Sequence, residues 1–378
     1  MKPLKNKKIT ATIFLILALA IAFVSAKSFL RMHEKELIIP GSGVTEVKML
    51  SDYFPKLKGT NGDTEVYILE GEEAGSSLLI LGGTHPNEPS GYVSAISIIE
   101  KAKVRKGKVF VIPRANNSAF THNDAQEGSP QGFYLDTGTG KRFFRYGSRA
   151  TNPIDQWPDP DVYIHAASGQ KLSGSETRNL NRGYPGRPDG TLTEQICYGI
   201  TQLIKTEDID ITIDLHEASP EYPVINAIVA HERAMPIASM AAINLQLKGI
   251  QISLEPSPTN LRGLTHRELG DYTDTLAILM ETANPAQGRL RGKTDEKLVT
   301  TGIDPTYEKA AKLGRLYVPF DETGHPLEER VGRHVTSILE IINAYNGTNP
   351  DRSIVIEGMP SFDEIMSKGF STLLNPPD

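Results

Sequence analysis

His85 and Glu88 stand three residues apart in the stretch LLILGGTHPNEPSGYVSAI, Leu78 to Ile96, just past an apolar run that ends in Gly82 and Gly83. A neutral imidazole and a carboxylate are good zinc ligands, and a catalytic zinc takes three protein ligands while keeping one position for water. A third ligand is needed, and the best candidate is His216, which ends the apolar run IDITIDLH. The first two alone would equally fit a solvated loop pair, and His216 alone a hydrogen-bonded residue at a strand end. The other histidines, His33, His122, His165, His231, His266, His325 and His334, lie in polar or turn-rich contexts and read as surface residues.

The elements that would position these groups alternate along the chain. Strand-like runs TEVYILEG and SSLLILGG precede a helix around SGYVSAISIIEKA and the strand KVFVIPR. After a long polar stretch come a helix containing Cys197, the strands IDITIDLH and VINAIVA, a helix near Met235 to Leu247, and the strand TLAILMETA. This alternation predicts an α/β fold, a mixed, largely parallel twisted sheet flanked by helices. Sites on such sheets gather at the carboxyl ends of the strands. The stretch from Ala115 to about Arg178 is rich in Gly, Pro, Asp and Ser and holds Trp157, so it reads as a functional loop system. Leu327, Val331, Val335, Ile338 and Leu339 recur at helical spacing and predict a closing helix from about Pro326 to Tyr345.

The 378 residues are 39% hydrophobic, enough for a sizeable core, and the net charge of -6 disfavours a nucleic-acid partner. Lys2, Lys5, Lys7 and Lys8 precede the run ITATIFLILALAIAFVSA, which reads as a signal peptide cut after Ala26 or a membrane anchor left in place. Either way the remainder is expected outside the cytoplasm, periplasmic, secreted or membrane-anchored, touching a membrane only through this segment if it is uncleaved. The single cysteine, Cys197, excludes an internal disulfide and reads as buried and inert in an amphipathic helix.

Four motifs in order, GGTHPNEPSG, NLNRGYPG from Asn179 to Gly186, DLHEAS from Asp214 to Ser219, and ILMETANP with Glu281, resemble the zinc carboxypeptidase superfamily. The first is most similar to the succinylglutamate desuccinylase and aspartoacylase branch, in which Gly stands at the position of Pro86. The resemblance spans roughly Leu78 to Arg291. It implies a zinc carboxypeptidase-like fold and one Zn2+ per chain held by His85, Glu88 and His216, with Glu281 as general base and later general acid. It also implies that Asn181 and Arg182 grip a substrate carboxylate, for which a planar guanidinium is well shaped. A second arginine that helps polarise the scissile carbonyl is not fixed by motif; Arg114, Arg145, Arg149 and Arg178 compete, with Arg149 or Arg178 preferred from their positions.

On this reading residues 1–26 are the leader, 27–60 an N-terminal extension, 61–345 a zinc hydrolase domain and 346–378 a C-terminal tail. The expected activity is hydrolysis of an amide bond beside a free carboxylate, in an N-acyl amino acid or at the end of a peptide. No G-x-S-x-G turn suggests a serine nucleophile. Two departures bear on this. Relatives usually have Asp-x-Asn-Arg, whereas this chain has Asn179-Leu180-Asn181-Arg182, and an amide supplies no negative charge to a histidine ligand, unless a carboxylate such as Asp214 compensates. The residues after Arg291 read as loop-rich and then helical, rather than β-rich as in the branch, which suits a pocket open to peptides. Tyr272 and His266, ahead of Glu281, read as surface residues that could also line it. The competing expectation is a catalytically degenerate protein of the same fold that binds a carboxylate or cell-wall peptide.

Overall fold

Alternating apolar runs become strands because a sheet covered on both faces needs both sides of each strand buried. The computed structural model describes residues 7–124 and 127–377; Lys2 and Lys5 of the leader lie outside them. In chain order the elements are α1 (Lys7–Arg31), β1 (Glu46–Met49), β2 (Glu65–Glu70), β3 (Glu73–Leu81), α2 (Pro89–Lys101), β4 (Lys103–Ile112), β5 (Gly132–Asp136), β6 (Lys141–Arg145), β7 (Val162–Ile164) and β8 (Lys171–Ser173). Next come α3 (Leu192–Thr206), β9 (Ile211–Ala218), β10 (Ala227–Ala230), α4 (Met235–Leu247), β11 (Ser253–Pro256), α5 (Thr265–Tyr272), β12 (Leu276–Ala283), α6 (Glu296–Thr301), α7 (Pro305–Lys312), α8 (Leu327–Thr348), β13 (Val355–Glu357) and α9 (Phe362–Lys368).

Among the described residues, nine strands form one mixed sheet in the order β1-β2-β4-β3-β9-β12-β10-β11, with β13 paired to β4. Its central strands β4, β3, β9 and β12 run parallel. The carboxyl ends of β3, β9 and β12 therefore lie side by side. Helices α2, α4 and α8 pack on one face around Ile80, Ile213, Ile278 and Ile338. On the other face α3 packs around Leu79, Phe110, Ile196 and Ile200, its start fixed by a Thr191–Glu194 capping box. Each fully buried Leu or Ile of these layers contributes about 1.5–3 kcal/mol. The expected closing helix is α8, and the polar stretch carries two short hairpins, β5-β6 and β7-β8.

Helix α1 is apolar over most of its length and has no buried residue; its length and composition suit a membrane span or a signal sequence alike. The chain beyond α1 is tied to the body. Arg145 grips buried Glu36 with two bonds of 2.6 and 2.9 Å, and Arg114 bridges Glu36 to Glu65. The segments drawn from sequence as extension and tail thus belong to the same sheet, through β1 and β13.

Burial alone would raise the Glu36 pKa, but Arg145 and then Arg114 outweigh it and hold the carboxyl below its ordinary 4.5. The stabilisation is therefore complete above that value and lost as pH falls through the lower folded pKa. Glu36→Gln leaves Arg145 buried without its counter-charge and is expected to cost about 3–5 kcal/mol near neutral pH. Urea denaturation read at neutral pH and again in acid, where the difference from wild type should shrink, checks both size and sign.

Candidate metal centre

Gly83, with φ of +66°, turns the chain out of β3 at a place where a Cβ would meet the Phe120 ring at 2.8 Å, so the turn needs glycine. Four residues after β3 ends, at the first turn past the sheet, comes His85. Pro89 opens α2, and Glu88 stands at the helix N-cap. Gly91 lets α2 lie against β9, since a Cβ there would sit 2.3 Å from the Leu215 carbonyl oxygen. His216 lies near the end of β9, whose eight residues are all buried, and Glu281 is its neighbour in register on β12.

Two sequence-distant histidines and one glutamate thus converge. The Glu88 carboxylate lies 2.8 Å from His85 Nδ1 and 2.9 Å from His216 Nδ1, and one ligand atom from each residue can be chosen so that all lie within 4.8 Å of one another. The far side of each ring is held. His85 Nε2 donates to Asn179 Oδ1 at 2.8 Å, and His216 Nε2 donates to Asp214 Oδ2 at 2.8 Å. Asp214 is itself fixed by the hydroxyls of Thr84 and Thr265. Burial lowers the His216 pKa, but Asp214 and Glu88 outweigh it and push it well above its ordinary value, so without a metal this ring holds a proton on each nitrogen. With a metal ion bound, protons on both Nε2 atoms would leave both Nδ1 lone pairs for the ion. The buried His-Glu-His donor set therefore fits a metal ion.

Two carboxylates are tuned differently here. Burial raises the pKa of Glu88, yet His85 and His216 outweigh it and leave the group ionised. Glu281 has no such partner: its Oε2 is buried without a hydrogen bond, and burial, with Glu88 and Asp214 adding to it against His216 and Arg149, pushes its pKa up to about 8. Such a carboxyl can hold a proton at neutral pH.

These groups open on a cavity of about 820 Å³ also lined by Arg149, Asn181 and Arg182. Thr265 donates its backbone N–H to Asn181 Oδ1 at 2.8 Å, which leaves the Asn181 amide nitrogen for a ligand. The Arg182 pKa is pushed down, first by burial and then by neighbouring Arg149. An anion between them would relieve that repulsion. Arg178 is not brought to this cavity. Asp159 grips it with two bonds of 2.7 and 2.9 Å and its remaining nitrogen serves the Thr151 carbonyl, so of the two arginines preferred from sequence only Arg149 arrives. Arg114 and Arg145 are committed to Glu36.

The histidines need correction. His33 is exposed, but His165, His231, His266, His325 and His334 are buried. Polar neighbours in sequence conceal partners that only the fold supplies: His165 lies between Ser168 Oγ and the Tyr184 carbonyl, and His325 between Glu329 and the Pro319 carbonyl. His266 lines the cavity, paired with Ser257 and kept neutral because burial, with His216 nearby, pushes its pKa down to about 3; Tyr272 is exposed. Sequence reasoning also passed over Glu217, whose buried carboxylate binds Arg330, the Ser90 backbone and Asn284. Its signal was an acid inside an apolar strand.

No family model matches the chain. Over 159 residues it is 23% identical to N-alpha-acetyl-L-2,4-diaminobutyric acid deacetylase of Halomonas elongata, a match covering 42% of this chain and 33% of that relative. The chain thus spans about a third of the curated relative it matches. Among solved structures it is similar to a succinylglutamatedesuccinylase/aspartoacylase from Rhodobacter sphaeroides, with a TM-score of 0.38 and 14% identity over 74% of this chain and 58% of that one. A metallo-carboxypeptidase from Burkholderia cenocepacia gives a TM-score of 0.44 and 9% identity over 79% and 68%.

Proposed function

We propose that this chain is an exported zinc-dependent hydrolase that cleaves an amide bond beside a free carboxylate, in an N-acyl amino acid or at a peptide end. One observation carries the reading: His85, Glu88 and His216 meet at the ends of adjacent strands, beside an unpartnered Glu281, in a cavity that also holds two arginines. A zinc ion held by the three ligands would supply a water whose pKa is lowered toward ~7 and would polarise the scissile carbonyl. Glu281 takes the proton of the attacking water and returns it to the leaving amine. Asn181 and Arg182 bind the free carboxylate, and Arg149 faces the carbonyl side. Asp214 and Asn179 keep the two imidazoles in the tautomer that binds metal.

The degenerate alternative rested on Asn179. It loses its main support because Asn179 Nδ2 donates at 2.7 Å to Glu176, so a carboxylate stands one bond further from His85 than in Asp-x-Asn-Arg chains. The test is elemental analysis of the protein reconstituted with zinc, and then a panel of N-acyl amino acids and C-terminal peptides. One zinc per chain with turnover on the panel is expected; metal binding without turnover of any amide would favour the binding protein. Arg182→Lys should raise KM by roughly 10-fold or more, because an ammonium cannot reproduce the two-bond grip on a carboxylate. An unchanged KM would remove Arg182 from substrate binding.

A further inference from the structure

The cavity reaches well beyond the metal centre, and its floor is a sheet face whose residues are set by register. Leu279 lies two residues before Glu281 on β12, so both side chains point to the same face. Leu279 pairs with Val229 on β10, and Val229 with Glu255 on the edge strand β11. Leaving the centre along the sheet, a ligand crosses two buried apolar side chains and then meets a carboxylate. Strands lie about 4.8 Å apart, which sets the β11 backbone about 10 Å from β12.

The Glu255 carboxylate makes no hydrogen bond or ion pair within the protein among the described residues, although it lines the cavity and is only partly exposed. The cations that line the cavity, Arg149 and Arg182, are the groups assigned to the substrate's carboxylate and carbonyl, and neutral His266 adds no charge. Leu261, Leu264 and Pro258 add apolar surface along the path. A partly buried carboxylate beside apolar surface, lacking a counter-charge, is favourable once a ligand brings one.

We propose that Glu255 is a specificity-determining residue that selects an amino acid whose side chain is a short aliphatic stem ending in an amine cation. This rests on the reading of the same cavity as the site for a carboxylate-bearing substrate. The stem covers Leu279 and Val229, and the ammonium reaches Glu255.

The test is equilibrium binding to the zinc-reconstituted full chain, by titration calorimetry, of free lysine against free norleucine, which carries hydrogen in place of the side-chain amine; both keep the α-carboxylate and neither has an amide to hydrolyse. Wild type should bind the lysine ligand roughly 10- to 100-fold more tightly, as expected for a hydrogen bond between charged groups, and added salt should shrink the ratio. Glu255→Gln, checked for an unchanged melting temperature, should bring the ratio near one. Equal affinities in wild type, which needs no variant, or a lysine preference that survives in Glu255→Gln, overturns the proposal. Because binding is read without turnover, a protein that discriminates but hydrolyses nothing on the panel would sink the hydrolase reading and leave this subsite supported.

Discussion

Glu281→Gln is expected to lower kcat by about 10²- to 10⁴-fold, the range for loss of a positioned general acid-base group, while metal content stays that of wild type. The change is nearly isosteric, and Oε2 has no hydrogen bond to lose, so packing and stability should barely move. Glutamine can still hydrogen-bond a water but can neither take its proton nor give one back. A fall in kcat with KM and zinc nearly unchanged would locate the effect in proton transfer. Undiminished hydrolysis of a confirmed substrate would take Glu281 out of the chemistry and with it the main reason to regard the cavity as catalytic.

His85→Ala should have the larger effect on metal. Losing an outer partner of a ligand typically weakens metal binding by about 10- to 100-fold; losing one of three ligands should exceed that, so zinc should not survive extensive dialysis and turnover should fall to background. Elemental analysis beside wild type reads the first, and the amide panel the second. Glu88 would keep His216 and the Glu217 backbone N–H as partners, so the fold around it should persist. Retention of one full zinc in the variant would mean that the ion sits elsewhere and that His85 and Glu88 form only an internal pair.

The grouping of His85, Glu88 and His216 was legible from four motifs in order, with each group at or just past the end of an apolar run. Strand ends are local features, and the order of runs was enough to bring three of them to one edge. The arginines show where this stops. Arg149 and Arg178 look alike in sequence, and their difference is Asp159, which binds Arg178 from nineteen residues away. Arg145 and Glu36 are separated by more than a hundred residues, and nothing local marks either as buried. The buried histidines were misread for the same reason. Glu255 was invisible in sequence because its meaning comes from register, two strands across from Leu279.

The Glu176–Asn179–His85 chain bears on how this protein can change. Aspartate at position 179 alone would set a carboxylate against that of Glu176, with the present contact at 2.7 Å, and the repulsion would push one of them to hold a proton. Glutamine at 176 alone would strip the charge and leave nothing in its place. The two positions are therefore coupled: each single exchange should weaken the charge that supports His85, and the paired exchange should keep it.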